Sequence, residues 1–467
     1  MITRRLLSIF LVLFLTALAA GCGGNTGGGN PPPGATANVT VGVTDAPPPR
    51  VTIISFEALI TGATLNPGNV SLVNTPTKIE VKRLETETAF LSALNVQAGT
   101  YNSITVTFGA SELTFKNDTA APIPIPGGSC AVLAVCEVKN IPGGSVTYSG
   151  APFSVTIIAN TPTGFIVDVN LNNLITAALG LDFNAANAVV ILQVNATNGV
   201  YREIGEDITG VVANKSTNQF TLQTASGNFT VNVDNNTVYE DFSACTGFAC
   251  VNNLQVVEVS YSAMTGSGGA VTFLAKKIEL EDNAADDELE GVITNVTDAT
   301  HFDMVLTEEL RDVAGVEVGN PITVTLDTVT PGFFRVDTNG LTIPAGLLGA
   351  FEGASNTNQL IPGQTVQVRK SGGTGTNVTT NRVRLRMSRL TGKVANPIAS
   401  PNFNVDNLPS IFGGAIVVET QASTEFEGGI TGVSGLAVGN TVSLRGLYFK
   451  STPNNHLIAS KVRKRTP

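Results

Sequence analysis

Past residue 37 the chain alternates apolar and polar positions with a period of two. Val39, Val41 and Val43 interleave with Thr40, Gly42 and Thr44, as a strand with one buried face requires. The same pattern predicts strands over residues 51–65, 78–84, 104–108, 153–158, 164–169 and 188–194, with one helical turn over residues 174–179. Turn formers close them: Asp45-Ala46-Pro47-Pro48-Pro49 after the first, Asn66-Pro67-Gly68-Asn69 after the second. Seven or more strands in this stretch predict a two-layer sandwich over residues 38–202.

The C-terminal part repeats itself. Ile208-Thr209-Gly210, Leu289-Glu290-Gly291 and Leu390-Thr391-Gly392 open three similar segments. Each places a glycine where a strand must bend or admit another backbone. The units close on basic strands: Lys276-Lys277-Ile278, Arg382-Val383-Arg384 and Lys461-Val462-Arg463. The repeat is too long for a solenoid turn, so each unit is expected to form its own small β-barrel. The second carries an insertion around residues 325–356.

The start of the chain differs. Arg4 and Arg5 precede an apolar run over residues 6–20, which ends in Leu18-Ala19-Ala20-Gly21-Cys22. A charged start, a short apolar segment and small residues before a cysteine make an export signal, and the position of Cys22 predicts lipidation at the new N-terminus. Gly23 stands where Asp would signal inner-membrane retention in bacterial lipoproteins, which points to the outer membrane. Residues 23–37 are rich in Gly and Pro and read as a tether. The resulting boundaries are 1–21 signal, 22–37 lipidated Cys and tether, 38–202 sandwich, and barrels at 203–284, 285–388 and 389–467.

Composition supports the all-β class: 48 Gly, 23 Pro and only 14% charged residues, with Val and Thr throughout. The four cysteines besides Cys22 fall in two close pairs, Cys130 with Cys136 and Cys245 with Cys250. An exported chain favours disulfides within each pair. Net charge is −10, which argues against nucleic acid as a partner. The partners expected are the membrane, through the anchor, and envelope proteins or glycans. Trp is absent, which weakens a sugar-binding reading that would rest on aromatic platforms.

Two resemblances follow from particular segments. Residues 44–47 (TDAP), 98–104 (AGTYNSI) and the strand around Val167-Asp168-Val169 resemble the bacterial domain-of-unknown-function family 4382. This resemblance implies a sandwich on exported proteins and brings no established activity. The repeats over residues 205–467 are similar to the domain-of-unknown-function family 5666, which implies tandem barrels of the oligonucleotide/oligosaccharide-binding type.

Candidate sites are few. The acidic run at residues 281–288 offers Asp282, Asp286, Asp287 and Glu288 to a cation, but lacks the spacing of an EF-hand loop. It reads first as a solvated linker. Asp45 reads as the end of a strand before a turn rather than a cation ligand. The basic tail Lys461, Arg463, Lys464 and Arg465 reads as the charged end of an edge strand rather than a phosphate site. His301 and His456 have no nucleophile elbow to serve, and no cofactor motif is present. The expected function is a non-catalytic, lipid-anchored envelope protein with a binding or structural role. A polysaccharide-binding module and an envelope hydrolase are the alternatives.

Overall fold

In a computed structural model, residues 36–465 are described apart from 47–50, 74, 150–153, 197–199, 202–203, 206, 225–226, 241, 243–244, 266–270, 282–286 and 310–312. The signal, Cys22 and the tether lie outside the described residues, as do Asp282 and Asp286. Asp45 lies within the strand Thr36–Ala46, one residue from its end and paired with Val169. The chain is all-β. Among the described residues, no helix is long and apolar enough to cross a membrane.

Thr36–Ala46 lies between Ala89–Gln97 and Thr163–Asn170 in one sheet, antiparallel to the former and parallel to the latter, with Val189–Asn195 outermost. The second sheet is built on Thr52–Asn66 against Ser103–Lys116. The two sheets share one core that includes Val39, Val41, Ile60, Val106, Phe115 and Phe165. Two elements differ from expectation. The strand expected over residues 78–84 stops at Glu80, and Val81–Glu85 is a 3₁₀ turn. The Glu80 carboxylate accepts from Lys82 N (3.1 Å), Phe56 N (2.9 Å) and the Ser55 hydroxyl (2.5 Å). That side-chain cap rewards turning. The helical turn expected over 174–179 sits earlier, at Leu171–Leu174, where Asn170 accepts from Asn172 N.

Each C-terminal unit is a closed ring of five strands. In the first, Asp207–Ala213, Gln219–Thr224, Gly227–Asn232, Val256–Thr265 and Val271–Leu280 pair in the order first-second-third-fifth-fourth and return to the first. The third and fifth strands run parallel. The second ring repeats this order with Glu288–Val296, His301–Glu309, Pro321–Leu326, Thr365–Thr374 and the start of Asn377–Ala399. The third repeats it with the rest of Asn377–Ala399, Asn402–Asp406, Ile416–Glu427, Thr441–Phe449 and His456–Lys464. This is the Greek-key barrel of oligonucleotide/oligosaccharide-binding type. The opening glycines do what their spacing predicts: a Cβ on Gly210 would lie 2.5 Å from Gln223 O, and one on Gly291 2.3 Å from Val305 O. Asn377–Ala399 is one continuous strand that serves two barrels, and the expected boundary at residue 388 falls inside it.

A plug fills each barrel between its third and fourth strands. In the second it is the stretch read as an insertion. The helix Ala345–Glu352 buries Phe351 edge-on to Phe334 and to Phe449 of the third barrel. In the first, the 3₁₀ turn Phe248–Cys250 is pinned by a disulfide. Both expected bridges, Cys130–Cys136 and Cys245–Cys250, are formed. Peptide mapping without reduction is expected to recover both. Cys245→Ser with Cys250→Ser should lower stability by about 1–3 kcal/mol, because the closed loop is short. A loss beyond that range would mean the bridge holds more than a loop.

The modules also dock. Phe90 of the sandwich stands edge-on to Phe273 (5.5 Å between centroids) and Phe229 (6.1 Å) of the first barrel. Thr88 and Gly205 exchange backbone hydrogen bonds. Ile54 of the sandwich joins the third barrel's core, and Leu447, Phe449 and Ile458 of the third barrel join that of the second.

Candidate functional site: a buried charge cluster and the cavity beside it

The fifth strand of each barrel alternates strictly near its middle. Ile278, Val383 and Val462 face the barrel cores. Their neighbours Lys277, Glu279, Arg382, Arg384 and Lys461 are also buried, because the outer faces of the barrels pack on one another. Arg386 is the centre. Its guanidinium donates to Glu258, Glu290 (3.1 Å), Asp337 (2.5 Å) and Glu281 (3.4 Å) and lies 3.7 Å from Glu279. These carboxylates come from the first and second barrels. Arg384 donates to Glu281 at 2.9 Å, Arg382 to Glu288, and Lys277 to Glu279 at 2.7 Å.

This cluster holds Glu240, Glu258, Glu279, Glu281, Glu288, Glu290 and Asp337 against Lys277, Arg382, Arg384 and Arg386. Carboxylates exceed cations by three. Charge left unbalanced in a dry interior is costly, and carboxyls there take up protons instead. Burial pushes Glu281 up to about 8 against the pull of Arg384, and Glu290 up to about 7 against that of Arg83. Burial and the neighbouring Glu279 raise Asp337 well above the ordinary range. Three protons on these groups would balance the excess.

Oxygens of Glu240, Glu279 and Asp337 lie within 4.8 Å of one another. The Lys277 ammonium is 2.7 Å from Glu279 and 3.6 Å from Glu240, and Arg386 holds Asp337. Protein cations already stand where a metal would. Glu288, a candidate cation ligand by sequence, is bound by Arg382, while Asp287 receives Lys370 N on its backbone carbonyl. The solvated-linker reading of residues 281–288 is therefore corrected at its two ends: Glu281 and Glu288 are each 1% exposed. The polar phase of a strand carries the same signal whether it faces water or another barrel.

A second cluster joins the sandwich to the barrels. Glu87 accepts from Arg389 (3.0 Å) and Arg445, and Arg445 also reaches Asp207. Burial would raise the Glu87 carboxyl, but Arg445, Arg389 and Lys461 outweigh it and hold it well below the usual range. The basic tail is not an edge: His456–Lys464 is paired on both sides. Lys461 meets Glu425 (3.3 Å) and Glu427 (3.2 Å), Arg463 donates to Glu427 (2.6 Å), and Arg465 to Ser443 Oγ (2.9 Å). His301 makes no relay. Thr300 Oγ1 and the Asp298 carboxylate both meet its Nδ1, whereas a triad needs its two partners on different ring nitrogens.

Beside these clusters is a cavity of about 450 Å³, walled by the first and third barrels with Asn339 and Gly340 of the second and Glu87 of the sandwich. Its sequence signal lies in the fifth strands, where buried positions slip from a spacing of two to three: Ala275 to Ile278, Thr380 to Val383 and Ala459 to Val462. The pairing registers place a β-bulge at each slip. Lys276, Asn381 and Ser460 are the extra residues. Bulges re-aim side chains, and Lys276 and Ser460 both line the cavity. Lys276 is itself exposed. Desolvation by the surrounding chain and the nearby Lys461 lower its pKa.

Residues 209–279 and 391–463 match the model of a domain of unknown function (DUF5666); these are the first and third barrels. No curated protein matches the chain. A crystal structure of a multidomain protein with nucleic acid binding domains from Streptococcus pneumoniae TIGR4 is 10% identical, covering 54% of this chain and 72% of that one, at a TM-score of 0.11. At that score the likeness carries no argument for a ligand. The exclusion of nucleic acid expected from net charge is withdrawn, and the likeness assigns no partner in its place. The two matched segments are thus similar to a tandem domain family whose function is itself undefined.

Proposed function

We propose that this chain is a non-catalytic, lipid-anchored protein of the cell envelope, in which the sandwich and barrels serve as one rigid binding or structural body. The observation that carries the reading is the use of charge. Arg386 gathers carboxylates from two barrels, while Glu87, Arg389, Arg445 and Asp207 tie the sandwich to the barrels. Charged side chains here hold modules together instead of facing a substrate. The two disulfides support an oxidising compartment, and the signal ending at Cys22 supports acylation. Resemblance of residues 38–200 to the domain-of-unknown-function family 4382 belongs to the same reading, as does placement at the outer membrane.

Cys22→Ser tests the anchor. The expected outcome is loss of palmitate labelling, with the protein unprocessed or released from the membrane fraction. A variant that still labels and sediments with membranes would refute the reading. Several acyl chains hold a protein lastingly where one does not, so the difference should be nearly all-or-none.

A further inference from the structure

We propose that the outermost strand of the sandwich, Val189–Asn195, is an interface between two copies of this chain, which pair it with itself about a two-fold axis through Leu192. The inference does not rest on the envelope reading.

The two edges of the first sandwich sheet differ. An open strand edge is a template for another strand, and chains ordinarily blunt it with charge, proline, a bulge or a cover. At one edge, Ala89–Gln97 has a bulge at Leu91 and a contact with the second sheet, where the Ser92 hydroxyl donates to Leu72 O. At the other, Val189–Asn195 reads VVILQVN, with neither charge nor proline. It pairs with Thr163–Asn170 in unbroken register, and among the described residues no strand lies on its outer side.

Alternation sets the faces. Val189 and Ile191 fill the sandwich core, so Val190, Leu192 and Val194 lie on the opposite face. Leu192 is 47% exposed. A two-fold that keeps this face outward must pass through a residue, because directly opposite residues share a face. Only Leu192, the middle residue, lets the whole strand pair. Leu192 then meets its own image and Val190 meets Val194, which makes an apolar row where one chain alone has an exposed leucine.

Charge selects the occupant. The chain carries a net charge of −10, so two copies repel except where no carboxylate meets its image. Residues 183–201 carry no charge. A two-fold contact uses one patch twice, so this uncharged strand supplies both halves.

Sedimentation equilibrium of the full chain at micromolar concentrations reads the association, with Cys22→Ser in every variant so that no other thiol competes and acylation takes no part. The parent is expected to be dimeric. Leu192→Lys should weaken association by about tenfold or more, because like charges face each other across the axis. Val190→Lys should do the same, and it decides the matter if circular dichroism shows Leu192→Lys to be misfolded. Val438→Lys, at an exposed apolar position of the third barrel, should leave the dimer intact. On oxidation Leu192→Cys should form an intermolecular disulfide, since opposite Cα atoms lie about 4.5–5.5 Å apart. Val190→Cys should not, because its image stands about 14 Å along the strand. A monomeric parent would leave the edge to a strand of another protein and overturn the proposal. So would a dimer that survives both lysine substitutions, or one in which Val190→Cys crosslinks as readily as Leu192→Cys.

Discussion

Arg386→Met is expected to be among the most damaging single substitutions in this chain, lowering stability by about 3–5 kcal/mol near neutral pH. Removing one member of a buried ionic cluster strands its partners without compensation. Here the partners are Glu258, Glu279, Glu281, Glu290 and Asp337 around one guanidinium that is 5% exposed. Methionine keeps most of the volume, so the cavity contribution is small. Urea denaturation at pH 7.5 measures the loss. Repeated at pH 5, the deficit should shrink, because protonated carboxyls no longer repel. A deficit below about 1 kcal/mol at pH 7.5 would show that the cluster does not hold the barrels.

The second large effect is a fall in stability as pH rises from about 5 to 8. Glu281 and Glu290 titrate in the folded chain at about 8 and about 7, against an ordinary value of 4.5, and Asp337 is raised well above its ordinary 3.8. Raised carboxyls keep protons that the unfolded chain releases. Their contribution is full below the unfolded values and disappears as pH climbs through the folded ones. Each such proton adds about 1.4 kcal/mol per pH unit to the slope. A total fall on the order of 6 kcal/mol over this span follows from Glu281 and Glu290, a large part of an ordinary domain's stability. Glu87 and Glu427 act oppositely. Their folded values are lowered, so their contribution is present above the ordinary value and lost on acidification. Maximum stability is therefore expected on the mildly acidic side, near pH 5. Denaturation curves across pH 4–9 measure it, and a chain that grows steadily more stable up to pH 8 would contradict it.

Much of the fold was legible because its signals are local. Val39, Val41 and Val43 announce a strand by period alone, and all three are buried in the sandwich core. Gly210 and Gly291 mark close backbone approach. Each cysteine pair is near enough in sequence that only a local loop need close. The site was less legible because its causes are distant. Glu258, Arg386 and Asp337 are far apart in sequence and meet only when two barrels dock. Nothing in the alternation of Lys277 and Glu279 with Ile278 says that the polar phase meets another polar phase. The bulges lie between these cases. Their three-residue slip stands in the sequence, but it becomes a cavity only when the first and third barrels face each other.

Because Asn377–Ala399 closes two rings at once, it constrains how the gene can be recombined. A crossover within its codons would give each product half a strand and leave two barrels open. Crossovers near codons 203 and 284 would leave every ring whole, since Asp207–Leu280 pairs only within its own ring and the first barrel's short added strands. The second and third barrels are thus inherited as one cassette, whereas the first is a separate ring that can be exchanged only for one that keeps carboxylates opposite Arg384 and Arg386.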